Sequence, residues 1–331
     1  MKRIETAVPL RGEDSGQWGH SMANFAEIMF PVLDAAGVRS LAEIGAYAGV
    51  LTAALLEWAE PVGADVIAVD PTPQAELVAL AQEHEALQLE QETSVDAIPA
   101  MDLPDAFIID GDHNYFTVSE ELRLIAERAS ATSSMMPLLL FHDVCWPHAR
   151  RDSYYAPERI PDEYHSTIAE GVGIYPDEPG LTWGGLPYKY VQKAEGGDRN
   201  GVLTAVEDFT SRHPDLELAI VPIFFGFGIC WPRDAPYADS VRTVVEPWDR
   251  NPMLARLEWN RVRHLAEGYL ARTHAAVYKA RCRRQEKLLR EVQTSGGLRL
   301  LERLTRFRRK GNPGIQEQIA TELETGREEP I

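Results

Sequence analysis

At 331 residues, with 44% apolar and 25% charged side chains, the chain has the composition of a soluble globular protein and the length for one sizeable domain plus an appendage. Its net charge of −18 is unevenly spread: from Arg250 onward 18 Lys and Arg face 10 Asp and Glu, which leaves residues 1–249 at −26. So acidic a body excludes a nucleic-acid substrate held by phosphate neutralisation, while the basic tail is suited to an acidic partner, its own body or an anionic surface.

The opening residues carry no apolar run of the secretory kind, and no later segment reaches about 18 uncharged apolar residues. The expectation is a cytoplasmic protein, not an integral membrane one. Cys145, Cys230 and Cys282 are widely spaced and odd in number, so neither a disulfide framework nor a structural zinc site is indicated.

In chain order, Asn24 to Leu33 is apolar at helical spacing and Gly37 stops it, giving an N-terminal helical cap over 1–39. Ser40 to Ile44 is a first strand, ended by Gly45; Gly49 opens a helix from Leu51 to Ala59. Ala64 to Val69 is a second strand, closed by Asp70 and the Pro71-Thr72-Pro73 turn. A helix from Gln74 to Glu85 follows, then a short strand from Leu87 to Glu92 and the segment Thr93-Ser94-Val95-Asp96. Ala106 to Ile109 is a wholly apolar fourth strand, as expected of one covered on both faces. Val118 to Arg128 is a helix, and Pro137 to Phe141 a fifth strand ending at His142-Asp143.

Strand and helix alternate at βαβ spacing, which predicts an α/β, Rossmann-like fold with a mostly parallel seven-stranded sheet over 40–249. Ligands of such a sheet sit at the carboxyl ends of its strands, where the polar motifs fall. Between them, about 145–187 is rich in Pro, Tyr and Gly, including Tyr154, Tyr155, His165, Tyr175 and Trp183. A segment of that length inside a compact domain reads as a lid or binding loop. Val202 to Thr210 resumes as helix, and Leu216 to Trp231 supplies late strands around Pro222. Over 250–331 the chain becomes a helical C-terminal extension: Leu254, Leu257, Arg261, Leu265 and Tyr269 mark one face, and Gly296-Gly297 breaks the helix before Leu298 to Phe307. It suits a helical hairpin or homo-oligomer contact.

Three constellations carry chemistry. Glu43-Ile44-Gly45-Ala46-Tyr47-Ala48-Gly49 lies between strand and helix: Gly45 permits a tight approach to a ligand and Gly49 close helix packing. It has two glycines, not the three of a dinucleotide fingerprint, and Glu43 would repel a pyrophosphate. Asp70, ending the second strand, can accept from two ribose hydroxyls or simply cap the turn. Asp110, Asp112, His113, His142 and Asp143 gather after the fourth and fifth strands, where a hydroxyl could be deprotonated.

These residues resemble the class I S-adenosylmethionine-dependent methyltransferases. The resemblance implies that Glu43, Gly45 and Gly49 surround the methionine part of the cofactor, that Asp70 binds its ribose, and that Ser94 lies beside the adenine; Asp110 is also placed against the cofactor. Ile109 to Tyr115 with His142-Asp143 is similar to the small-molecule subgroup that includes cephalosporin-type and sugar O-methyltransferases. Some relatives hold a divalent ion such as Mg²⁺, and the matching positions are Asp110, His142 and Asp143, although His142 departs from an all-oxygen set. His142 and His113 are therefore rival bases, with Asp143 as their partner, and metal-bound and metal-free chemistry both stay open. The implied reaction is methylation of a hydroxyl on a small metabolite. Methylation of an amine, a nicotinamide-dependent oxidoreductase and a non-catalytic adenosylmethionine-binding assembly protein are the alternatives.

Overall fold

A computed structural model describes residues 20–164, 167–305 and 313–328; Trp18, Gly19, His165 and the end of the helix expected to reach Phe307 lie outside them. The chain divides into two compact units, Met1–Ala266 and Glu267–Ile331.

The first unit begins with a 3₁₀ turn, Met22–Phe25, leading into α1 (Ala26–Ala36), which Gly37 closes in a left-handed conformation. Then come β1 (Ser40–Ile44), α2 (Val50–Val62), β2 (Asp65–Val69), α3 (Ala75–Glu83), β3 (Leu87–Glu90), α4 (Ser94–Ala100), β4 (Ala106–Ile109), α5 (Tyr115–Ala131) and β5 (Leu138–His142). A hairpin of β6 (Ile168–Ile174) and β7 (Leu186–Gln192) precedes α6 (Val202–Arg212), β8 (Leu216–Val221), β9 (Phe227–Pro232) and α7 (Ala238–Val245). The long α8 (Pro252–Thr294) begins in this unit and runs on into the second, where α9 (Gly296–Thr305) and α10 (Ile315–Glu328) follow.

The main sheet has seven strands in the order β3-β2-β1-β4-β5-β9-β8. The first five are parallel, and β9 pairs antiparallel with both β5 and β8. This is the expected Rossmann-like, mostly parallel sheet. Alternation along each strand feeds two cores: Leu138 and Leu140 join one with α1, α2 and α7 residues, and Leu139 and Phe141 join the other with α5 and α6 residues.

Several boundaries differ from the sequence reading for identifiable reasons. β5 includes His142, because that residue still pairs with Phe227 of β9. The segment expected to be irregular over about 145–187 contains a regular hairpin, whose second strand continues to Gln192. It is anchored by Arg151, fully buried, which donates to the carbonyls of Gln192 (3.0 Å) and Pro179 (2.7 Å). Helices α4 and α7 were not foreseen; α4 is a seven-residue helix with a proline inside it. On α8, Leu257 does not share the packing face with Leu254: it is 53% exposed, while Glu258, Val262 and Ala266 are buried. A charged residue occupies the inward position because its carboxylate finds two backbone donors there.

The strand order reverses between β1 and β4, which opens the crevice where a ligand of a parallel sheet belongs. Ile44 pairs with Ile109, so Gly45 and Asp110 lie side by side just beyond their strands. Gly45 has φ +89°, and a Cβ there would stand 2.2 Å from the Asp110 carbonyl oxygen. Only glycine fits both the dihedral and the space. Gly45→Ala is expected to destabilise the domain by about 2 kcal/mol or more, read as a lowered denaturant midpoint; an unchanged midpoint would refute this packing.

Candidate active site

The glycine turn is built by hydrogen bonds across the strand ends. Asp70 is nearly buried; its Oδ2 accepts from the Tyr47 backbone N–H at 2.7 Å and its Oδ1 from that of Thr72 at 2.8 Å. Tyr47 sits at φ +44° with its ring 64% exposed, so the carboxylate holds the turn open and pushes the aromatic side chain outward. Each Asp70 oxygen retains a lone pair for a hydroxyl. Gly49 caps α2 at φ +76°, close against Leu77 and Leu80 of α3.

Glu43 lies beneath this turn, 3% exposed, with Oε2 accepting from Thr52 Oγ1 at 2.6 Å. Burial, opposed by the Thr52 hydrogen bond and reinforced by Asp110 and Asp70, pushes its carboxyl up to about 8. At neutral pH it is a neutral acid, not the anion that the sequence suggested. Ser94 opens α4 and donates to Glu121 Oε1 at 2.6 Å. Glu121, on α5, is buried and likewise raised to about 8 by burial, and among the described residues its Oε2 has no hydrogen-bond partner.

At the ends of β4 and β5 four of the five expected residues converge. His142 is 3% exposed, with Nδ1 3.0 Å from Asp110 Oδ1 and Nε2 3.0 Å from the carbonyl of Phe224. A carbonyl only accepts, so Nε2 carries a proton; a carboxylate only accepts, so Nδ1 carries one as well. Burial alone would lower its pKa, but Asp110, Asp143 and the Phe224 carbonyl outweigh it and raise it to about 10. Asp143, at φ +58°, is set by the same pairing: burial opposes ionisation, yet His113 and His142 hold it at about 2. Asp110 is also lowered, against burial, by His142 and His113.

His113 Nε2 stands 3.1 Å from Asp143 Oδ2 and 3.5 Å from Asp110 Oδ1. It is less buried than His142, and although burial lowers its pKa, Asp143 and Asp110 raise it overall. Asp112 turns aside and accepts from the Tyr155 N–H at 3.2 Å. Tyr155 is in edge contact with the His113 ring at 5.7 Å and is 71% exposed, whereas Tyr154 is buried and donates to Asp152 at 3.0 Å. The latter ties the 145–192 segment down: Asp152 also accepts from the N–H groups of Tyr115 and Gly201. An open polar cavity between Tyr115, Arg150, Arg199 and Asp208 shares no residue with the glycine turn or this cluster.

Sequence reasoning missed His148. It is buried, its ring centroid 4.8 Å from that of His113, with Nε2 3.0 Å from the Tyr188 hydroxyl, and burial drives it down to about 3, so it is neutral. No spacing rule ties it to Asp143; the path of the chain just after β5 does. Among the described residues two trios have ligand atoms within 4.8 Å of one another, Asp110–His142–Asp143 and His113–Asp143–His148. To bind an ion through Nδ1, His142 would first have to surrender a proton held by Asp110.

Residues 42–144 match the family model for a methyltransferase domain. No curated protein matches the chain. Among solved structures it is similar to a methyltransferase of Podospora anserina bound to S-adenosylhomocysteine, at 13% identity over 66% of this chain and 86% of that one, TM-score 0.39. It is also similar to a putative caffeoyl-CoA O-methyltransferase of Staphylococcus aureus, at 10% identity over 63% and 83%, TM-score 0.37. A third is a 1,6-didemethyltoxoflavin-N1-methyltransferase of Burkholderia thailandensis, at 14% identity over 60% and 76%, TM-score 0.33. Likenesses this distant do not speak to substrate. The family match over residues 42–144 and the sheet order give a class I methyltransferase fold. Among the described residues no helix is long and apolar enough to cross a membrane.

A neutral Glu43 has a measurable consequence. Unfolded, its carboxyl ionises near 4.5; folded, it keeps its proton to about 8, so raising the pH through that window progressively penalises the folded state. Glu43→Gln removes the penalty. Thermal unfolding from about pH 5 to about 9 should show the variant gaining on the parent up to about pH 8 and then levelling; a pH-independent gap would mean that Glu43 is ionised.

Proposed function

We propose that the protein transfers the methyl group of S-adenosylmethionine to a hydroxyl of a small metabolite, with His113 as the base and Asp143 orienting it. The observation that carries this reading is the division of labour between the two histidines. His142 is committed as a cation by two acceptors, whereas His113 is the more exposed of the pair, with its Nε2 facing the Asp143 and Asp110 carboxylates and its ring against the exposed Tyr155.

The acceptor hydroxyl would give its proton to His113 as its oxygen attacks the sulfonium methyl, and S-adenosylhomocysteine would leave with neutral sulfur. Most of the rate then comes from alignment of oxygen, carbon and sulfur. Glu43, Gly45, Gly49 and Asp70 would form the cofactor side, with Ser94 near the adenine and Asp110 bridging cofactor and cluster. The paired charges on His142, Asp110 and Asp143 keep the cluster's field constant while His113 changes state. A sugar or natural-product acceptor suits the exposed rings of Tyr47, Tyr155 and Trp183.

A second reading is favoured by the two trios that share Asp143: a divalent ion held by Asp110, His142 and Asp143, or by His113, Asp143 and His148, would polarise the hydroxyl. The imidazoles in both sets suit a softer ion than Mg²⁺. Dialysis against a chelator distinguishes the two: activity that survives it supports the base, and activity restored only by added ion supports the metal.

Calorimetry should show adenosylmethionine binding that Asp70→Ala weakens about tenfold or more, since a ribose acceptor and the brace on Tyr47 are both lost. Binding of NAD in place of adenosylmethionine would end the methyltransferase reading. His113→Ala should lower turnover, followed as S-adenosylhomocysteine release, about 10²-fold or more with cofactor affinity retained. In the parent, turnover should rise with pH through a midpoint above 6.5, because His113 is raised and must be neutral to act. Near-parental turnover in His113→Ala would remove it as the base.

Homo-oligomerisation through the C-terminal helices is the matching proposal for the tail. In α9, Leu300, Leu301 and Leu304 are all more than half exposed. Light scattering of the full chain should give a multiple of the 37.0 kDa chain mass, reduced when the three are changed to Glu. A monomeric parent would dismiss the idea.

A further inference from the structure

The turn between β8 and β9 contains two consecutive non-glycine residues in the left-handed region, Phe224 at φ +50° and Phe225 at φ +68°. Two bulky residues hold that conformation only when their surroundings impose it. Their backbone N–H groups point the same way and form a small anion-binding nest. Glu258 of α8 fills it: Oε2 accepts from Phe224 N at 2.9 Å and Oε1 from Phe225 N at 2.8 Å.

The carboxylate is itself fixed. Arg261, one turn further along the helix, donates to both its oxygens at 2.7 Å and lays its guanidinium over the Phe225 ring, 4.3 Å from the centroid. Both partners are largely withdrawn from water. So dry an ion pair costs desolvation, which its hydrogen bonds to the turn help to offset.

The carbonyls of the same two residues point toward the reaction centre. Phe224 O accepts from His142 Nε2 at 3.0 Å, and Phe225 O accepts from Cys145 N at 2.7 Å. They therefore grip the chain on either side of Asp143, which is itself in the left-handed region. Gly226 completes the contact: a Cβ there would stand 2.6 Å from Cys145 N.

We propose that Glu258 is a positioning residue of the His–Asp cluster, acting through the Phe224–Phe225 turn to hold His142 and the backbone around Asp143. It touches no reacting atom. That the cluster is the reaction centre rests on the function proposed above; the mechanical link does not, and its test needs no acceptor.

The test is NMR of the full-length protein carrying ¹⁵N-labelled histidine, in which the His142 Nε2 proton is identified as the imidazole signal lost in His142→Gln. Glu258→Ala frees both nest donors and strands Arg261, so exchange of that proton with water should accelerate about tenfold or more. Glu258→Gln, which keeps one acceptor oxygen and is the gentler change should the alanine variant not fold, should fall between the two. Glu258→Asp, with its carboxylate retained on a shorter arm, should recover part of the protection. Thermal unfolding of each variant shows whether the exchange change exceeds what lost global stability would produce. A folded Glu258→Ala or Glu258→Gln whose His142 proton exchanges at the parental rate would overturn the proposal. So would an acceleration shared equally by every protected amide, since that reports global opening and not release of this turn. A parental Glu258→Ala beside a defective His113→Ala would leave the methyltransferase reading standing, so failure of one idea is distinguishable from failure of the other.

Discussion

Asp110 and Asp143 end neighbouring parallel strands with their carboxylates drawn out of bulk water, and two such charges so close together need a cation between them. His142 supplies it. Its placement is not optional: β5 delivers the ring from the last paired residue of the strand, Asp110 takes one N–H, and the Phe224 carbonyl takes the other. Neutralise the ring and the two carboxylates keep only His113 between them, with Asp110 losing its donor on Nδ1. The position of His113, whose Nε2 faces both carboxylates, fits this arrangement of charge, whereas His148 is kept neutral by burial.

The opposite side of the crevice uses the reverse strategy. Around the glycine turn a buried carboxyl is kept uncharged by burial, and Asp70 spends one lone pair on each side to brace backbone. The β1–β4 crevice thus has a neutral buried acid beneath one side and a set of paired charges on the other. Glu121, buried beside Ser94, is likewise raised to about 8 by burial.

Most of the fold was legible because the signals were periodic. Five parallel strands with their glycine and proline punctuation could be read almost residue for residue, and the wholly apolar fourth and fifth strands announced their central positions. The candidate site was legible in its ingredients and less so in its chemistry. Sequence placed His142 and His113 at one edge as equals; the carbonyl of Phe224, more than 80 residues further along, fixes the second proton of His142 alone. Glu43 was read as an anion because its burial and its Thr52 partner are three-dimensional facts. His148 and Arg151 lie in a stretch without periodicity, and their roles arise from the way the lid folds back. On α8 the pattern was misread at Leu257 because a buried Glu breaks the rule that inward positions are apolar.

The helix that carries Glu258 also changes where the chain can be cut. Composition turns from acidic to basic at about Arg250, and an experimenter trimming the basic tail would naturally end the gene there. The compact unit closes only at Ala266, however, and α8 passes through that point unbroken. A truncation at the charge boundary would discard Glu258, Arg261, Val262 and Ala266, leaving two left-handed phenylalanines without their anchor. Loss of activity in such a fragment would say nothing about the remainder of the tail. The boundary of charge and the boundary of folding are different places in this protein, and any dissection of the extension has to begin beyond the second.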